Sequence, residues 1–282
     1  MSVGMVCFVL NDTLLKYVSE SMAAPQIIFL RGLLASLGLL VVALAMRQIR
    51  RESLHQLSHR WVIIRSLMDG TASLVYLSAL FNMPMANANA INMSTPLLIA
   101  LMAALLLHHR IRPRHWFIMA LGFVGVLLVV QPQADGFNAW AWVALAGTLC
   151  HALRDLAVGF IPDDVPSSMV TISTATTTTG MAGAWAVFHP WQSVEWSAWW
   201  LLTASALCLS LGYFLLVKAT RLADMSVIAP FRYTGLFTAV VMGYLVWGDV
   251  PNALAWGGMV LLVGAGLLMI GQTTPQSEAK PS

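Results

Sequence analysis

Stretches of close to 20 apolar residues recur along the whole of this 282-residue chain, separated by prolines, paired aspartates or clusters of arginine. The hydrocarbon core of a bilayer, about 30 Å thick, takes a helix of about 20 such residues. A backbone immersed in it must satisfy its own hydrogen bonds. The chain is thereby limited to an all-α integral membrane protein, because the alternating segments of about 10 residues that mark a membrane β-barrel are absent. Only 10% of the residues are charged, against about a quarter in soluble domains, too few to cover a water-facing globule. Cys7, Cys150 and Cys208 sit inside apolar runs without CxxC spacing, which predicts neither a disulfide framework nor a zinc site. The first run carries Asp12 and Lys16 and lacks a basic leader, so no cleavable signal peptide is expected.

Hydropathy and turn signals predict ten transmembrane helices, at about 3–20, 26–46, 61–82, 85–108, 115–131, 138–158, 167–188, 197–218, 225–247 and 253–271. The polar tail 272–282 is expected to be disordered. With the N-terminus in the cytoplasm, the inside loops hold Arg47, Arg50, Arg51, Arg60, Arg110, Arg112, Arg114, Lys218 and Arg221, and the tail holds Lys280. The outside loops hold no lysine or arginine, so both termini are placed in the cytoplasm, in a membrane of the bacterial inner type.

The chain also resembles itself. Residues 86–91 (ANANAI) lead into Met93 and Pro96 much as residues 223–228 (ADMSVI) lead into Pro230 and Tyr233, with Tyr76 matching Tyr213 at an offset of about 137. Gly125 and Gly264 match at an offset near 139. Residues 1–132 and 138–271 then form two repeats of five spans each. An odd number of spans inverts the second repeat, an architecture of secondary transporters that bind cargo at the midplane of a central cavity.

The opening residues Asn11-Asp12-Thr-Leu-Leu-Lys16, then Pro25, then Phe29-Leu30-Arg31-Gly32, resemble those of EamA-type members of the drug/metabolite transporter superfamily. Pro96-Leu97 and the glycines of spans five and ten fit the same pattern. The family's tryptophan before the Asn11 position is absent, and His109-Arg110 stands where a glutamate often closes span four. Within the family the chain looks most like the YddG branch, whose members export aromatic and other amino acids. The resemblance implies a cavity lined by spans 1, 3, 4, 6, 8 and 9.

Polar residues inside the spans are the candidate site, because lipid tolerates them poorly. At about 100° per residue, Asn89, Asn92, Met93 and Pro96 share one stripe of span four, with Asn87 and Ser94 off it. Amides can donate to and accept from a zwitterion; their alternative role is to bond a neighbouring helix. In span nine Pro230, Tyr233, Thr234 and Phe237 form the matching stripe. Pro96 and Pro230 each free a carbonyl one turn back, giving either a hinge or a static kink. Tyr76 and Tyr213 offer phenol rings suited to aromatic cargo. Asn11 and Asp12 complete the substrate-binding set, and Asp12 is the leading candidate for a proton-linked group, with pairing to Lys16 as its alternative.

The pairs Asp12–Lys16 and Arg65–Asp69, each four apart, can neutralise themselves. That leaves Arg31 and Arg232 without a local partner, and Arg232 is expected to snorkel or pack rather than line the site. The threonine-rich stretch 171–179 is expected to bond back to its own helix, and Gly122, Gly125, Gly257, Gly264 and Gly266 to pack helices closely. No HExxH, GxSxG or P-loop occurs, so no enzyme is expected. The loop 108–115, with its histidines set among arginines, is a poor metal site. The expected partners are a small-molecule substrate and the lipid bilayer, with no cofactor and no nucleic acid; monomer or homodimer stays open.

Overall fold

The computed structural model describes residues 1–45, 59–106, 113–131, 139–162, 165, 167–222 and 229–270. Several basic loop residues of the expected inside face (Arg47, Arg50, Arg51, Arg110 and Arg112) fall outside that set. So do His108, His109, Asp163, Asp164, Asp224, the tail with Lys280, and the side chains of Lys218, Arg221 and Pro230. Among the described residues the secondary structure is helical throughout. The segments are α1 (Ser2–Val18), α2 (Ala24–Ala45), α3 (Arg60–Phe81), α4a (Met85–Asn92), α4b (Thr95–Leu106), α5 (Pro113–Val130) and α6 (Trp140–Val158). They continue with α7 (Ser167–Ala186), α8 (Trp196–Leu222), α9 and α10 (Ala253–Ile270). α9 opens as a 3-10 turn, Ala229–Tyr233, and continues as an α-helix, Thr234–Trp247. It ends where Gly248, at φ +72°, lets its own N–H and that of Asp249 reach back to the last turn of carbonyls.

Among the described residues four helical stretches, Met85–Leu105, Pro113–Val130, Trp140–Val158 and Trp196–Leu216, are long and apolar enough to cross a membrane. The other expected spans are helical too, but α1 carries Asn11, Asp12 and Lys16, and α3 carries Arg60, Arg65 and Asp69. Asn11, Lys16 and Asp69 are buried, whereas Phe117, Leu207, Phe214 and Val260 face outward with more than 60% of their surface exposed. An apolar exterior around a polar centre suits lipid rather than water.

The helices pack in a paired pattern. The most extensive contacts join α3 with α6, α1 with α8, α2 with α7, and α5 with α10. Further contacts join α3 with α7, α2 with α8, α1 with α9, and α4b with α6. Exchanging α1–α5 for α6–α10 maps each of these pairs onto itself or another in the set. Every one of them joins a helix of the first half to a helix of the second.

The α5–α10 seam depends on two glycines. A Cβ on Gly125 would stand 2.8 Å from the Gly258 carbonyl oxygen, and one on Gly258 would stand 2.5 Å from that of Gly125. Gly257 and Gly264, also expected at close contacts, have open space beside them; the tight position is Gly258. Gly125→Val is expected to cost about 1–3 kcal/mol by overpacking, read as a lower thermal midpoint in detergent, while Gly257→Val leaves that midpoint unchanged.

Candidate functional site

α4 breaks at Met93 and Ser94, and the break has its cause in the local sequence. Pro96 has no N–H to offer the carbonyl of Asn92, so the Thr95 hydroxyl donates to that carbonyl instead, at 2.6 Å. Ser94 does the same for Ile91, also at 2.6 Å. Pro96 lands in the first turn of α4b, where its missing donor costs nothing. In α9 the Thr234 hydroxyl donates to the Phe231 carbonyl at 2.6 Å where the 3-10 turn gives way to α-helix. Both breaks leave irregular backbone inside the bundle, beside a cavity, which is where such backbone is tolerated in a membrane protein.

That cavity has a volume of about 390 Å³ and is lined by all eight residues of the expected binding set: Asn11, Asp12, Tyr76, Asn89, Asn92, Met93, Tyr213 and Tyr233. Pro96 lies on its wall as well. α1, α2, α3, α4, α6, α8 and α9 all contribute, so the implied set of spans gains α2, through Arg31. A side chamber of about 130 Å³ shares Arg31, Ser73, Leu209 and Tyr213 with the main cavity and continues past Arg65, Asp69 and Thr174.

Asn11 ties the polar centre together. Its Nδ2 donates to Asp12 Oδ1 at 2.9 Å, and its Oδ1 accepts from Ser205 Oγ at 2.7 Å and from Arg31 at 3.5 Å. Arg31 is buried and its Nε has no partner within the described residues. The Tyr76 hydroxyl, also buried, has none there either. Unpartnered donors in a cavity wall are available to a bound molecule. Asn92 Oδ1 lies 3.1 Å from His151 Nδ1, so this amide both lines the cavity and bonds a neighbouring helix. Asn89 donates to its own helix at Met85 O, 3.3 Å away. Tyr213 packs edge-on against Phe8, ring centres 5.1 Å apart.

The charge pairs differ from those of the sequence. Lys16 does not pair with Asp12: its Nζ donates to the Met83 carbonyl at 2.5 Å and stands 4.8 Å from the ring of Trp247. Trp247 donates to Glu20 at 2.7 Å. Asp69 does not pair with Arg65 but with Arg154, at 2.5 Å, and Arg154 also holds Asp155, at 2.8 Å. Arg65 donates to Thr174 at 2.7 Å. Sequence spacing finds only partners on the same helix, and the partners of Lys16, Asp69 and Arg65 come from others. Arg232 lines the cavity rather than packing away from it. Phe237 departs from its stripe and faces outward, 71% exposed. Thr174, Thr176 and Thr179 bond back to their own helix as expected.

One end of the bundle is closed. Lys16, Met83, Trp247 and Glu20 meet there. Gln26 exchanges two hydrogen bonds with the backbone of Gln192, at 2.8 and 3.0 Å. Gln131 exchanges two with Asn252, at 2.7 and 2.9 Å. Asn87 lies at this end too, in a separate cleft of about 200 Å³ with Asp249. The main cavity extends the other way, to Met5 near the start of α1 and Leu216 near the end of α8.

His151, Ser73, Phe8 and Arg154 are wall residues that sequence pattern alone does not single out as site candidates. His151 carries a signal that could have marked it: no other histidine, lysine, arginine, aspartate or glutamate lies in the apolar run 140–153.

The sequence pattern of the EamA-like transporter family matches the chain twice, over residues 1–131 and 138–271. Pseudopaline exporter CntI of Pseudomonas aeruginosa (strain UCBPP-PA14) is 26% identical over 264 residues, covering 92% of this chain and 90% of its own. An S-adenosylmethionine uptake transporter of Rickettsia bellii (strain RML369-C) is 25% identical, covering 92% and 88%. A riboflavin transporter of Vibrio cholerae serotype O1 is 27% identical over 216 residues, covering 76% and 72%. A protein of known crystal structure matches 96% of this chain and 98% of its own, with a TM-score of 0.61 and 20% identity, which shows a shared fold.

Proposed function

The chain belongs to the EamA-like transporter family, and from that membership we propose that it is a secondary transporter exporting small amphipathic metabolites, foremost amino acids with aromatic or hydrophobic side chains, across an inner membrane of bacterial type. The observation that carries the reading is the polar cavity of about 390 Å³ inside an apolar bundle, within the size range of small-molecule sites. Asp12 would receive an ammonium, and Arg31, beside it at Asn11, and Arg232, also on the wall, would receive a carboxylate. Tyr76, Tyr213, Tyr233, Phe8 and Met93 supply an aromatic and adaptable apolar surface. Asn11, Asn89 and Asn92 would hold the polar end.

The named relatives do not point to the YddG branch, so the aromatic amino-acid reading rests on the cavity alone. They are named for chemically different cargo and include both an exporter and an uptake transporter. That diversity favours a second reading, a broad-specificity metabolite carrier with the same site.

The mechanism is alternating access by two inverted repeats, 1–132 and 138–271, with both termini in the cytoplasm and Pro96 and Pro230 at the flexing points. Because the largest interfaces all cross between halves, the moving bodies are mixed: α3, α4 and α6 against α1, α8 and α9. The pairs α2–α7 and α5–α10 flank them.

Purified protein in proteoliposomes, offered a panel of amino acids, is expected to carry those with aromatic side chains. Asn92→Ala and Tyr213→Ala should each raise KM by about tenfold, the equivalent of about 1.4 kcal/mol of lost contact. Well-folded protein that moves no member of the panel removes the amino-acid reading, and wild-type kinetics in both variants move the two residues from site to scaffold.

A further inference from the structure

Two titratable side chains face the cavity from corresponding helices of the two halves. Asp12 lies on α1 and His151 on α6. They are 139 residues apart, between the 138 that separate Ser2 from Trp140 at the helix starts and the 140 that separate Val18 from Val158 at the ends. Both are held by an asparagine: Asp12 by Asn11 at 2.9 Å and His151 by Asn92 at 3.1 Å. Neither belongs to an ion pair among the described residues, where the carboxylates of Asp69 and Asp155 both go to Arg154.

We propose that Asp12 and His151 are a repeat-related pair of proton-carrying groups, which couple cargo movement to proton movement in the opposite direction. The inference rests on the transport reading and deepens it.

The surroundings fit groups that exchange protons with cavity water. Asp12 is faced by Arg31 from α2 and Tyr76 from α3. Its own-helix cation, Lys16, is held away at Met83. His151 is faced by Tyr76, whose ring centre is 5.7 Å away, by Asp69 from α3, and by Arg154 and Asp155 from its own helix. The Asn92 oxygen can only accept, so a neutral His151 carries its proton on Nδ1 and leaves Nε2 free to take one. Asn92 thereby acts as a positioning residue for His151. A proton on Asp12 cancels the charge that would hold an ammonium, so proton and cargo exclude each other there. That exclusion converts a cavity into an exchanger.

The test is the number of protons moved per cargo molecule, from initial rates of labelled cargo flux and of a trapped pH indicator in the same proteoliposomes. A ratio is read independently of how far a substitution slows the flux. Wild type is expected at two, Asp12→Asn and His151→Gln at one each, and the double variant at zero, with cargo exchange uncoupled from pH. His151→Asn, which keeps a donor for the Asn92 oxygen, should match His151→Gln and guards against misfolding of the latter. Cargo flux in the wild type without proton movement overturns the inference and leaves the transport reading standing. A wild-type ratio in His151→Gln or His151→Asn overturns it as well. Loss of all flux in both His151 variants marks the residue as scaffold and likewise overturns it. No flux of any cargo by folded wild type defeats the transport reading, and the inference with it.

Discussion

Arg154→Leu is expected to be among the most destabilising substitutions in the cavity wall, at about 3–5 kcal/mol. One guanidinium holds two carboxylates, Asp69 at 2.5 Å and Asp155 at 2.8 Å, and Asp69 is largely buried, with 8% of its side chain exposed. Removing the cation leaves two anions facing each other in a medium of low dielectric, and the lost attraction turns into repulsion. The order of effects is the sharper check. Arg154→Leu should lower the unfolding midpoint in detergent most. Asp69→Leu should come next, since it strands Arg154 with one partner. Asp155→Leu should cost least, because that side chain is 29% exposed and partly screened. If Arg154→Leu is no worse than Asp155→Leu, the triad is not a structural unit. Asp69→Leu combined with Arg154→Leu should recover part of the loss, since a pair removed together leaves fewer charges without partners.

Asn11→Leu is the second large effect. The two side chains are close in volume, so the cavity shape is nearly kept while three polar contacts go: those to Asp12, Ser205 and Arg31. Arg31 matters most, because its Nε already lacks a partner and the guanidinium is buried. Hydrogen bonds to charged groups contribute about 1.5–3 kcal/mol. Losing them at the site should therefore cut cargo flux by about two orders of magnitude. Ser205→Ala removes one of the three contacts and leaves both charges held, so its flux should stay within about fivefold of wild type, in line with about 1 kcal/mol for a neutral hydrogen bond. Equal losses in the two variants would place the defect in the packing of α1 against α8 rather than in the positioning of the charges.

Much of the candidate site is legible in the sequence because helical periodicity reports which residues share a face. Asn89, Asn92, Met93 and Pro96 do lie together on the cavity wall, and the self-similarity of the chain leads to Tyr76 and Tyr213 as a pair. Periodicity is silent on which helix a face meets. The partner of Asp69 is 85 residues away and the carbonyl that takes Lys16 is 67 residues away. Both local pairs therefore look reasonable on spacing and neither forms. Periodicity also blurs where a helix changes type. The 3-10 turn at Ala229–Tyr233 is wound more tightly than an α-helix, so a fixed angle per residue misplaces the residues of the turn relative to the helix that follows. His151 is hard to read for a different reason. A single histidine in an apolar run carries no motif, and only its isolation there marks it.

The cross-packing of the two halves also bears on how the protein is made. A chain emerging from the ribosome inserts α1–α5 first, yet the surfaces those helices are built to cover belong to α6–α10, which do not yet exist. During that interval Asp69, Arg65 and the Gly125 surface lack the partners on α6, α7 and α10 that they have in the folded protein. Assembly must wait for the second half, and a gene cut between α5 and α6 should yield stable protein only when both pieces are synthesised in the same cell.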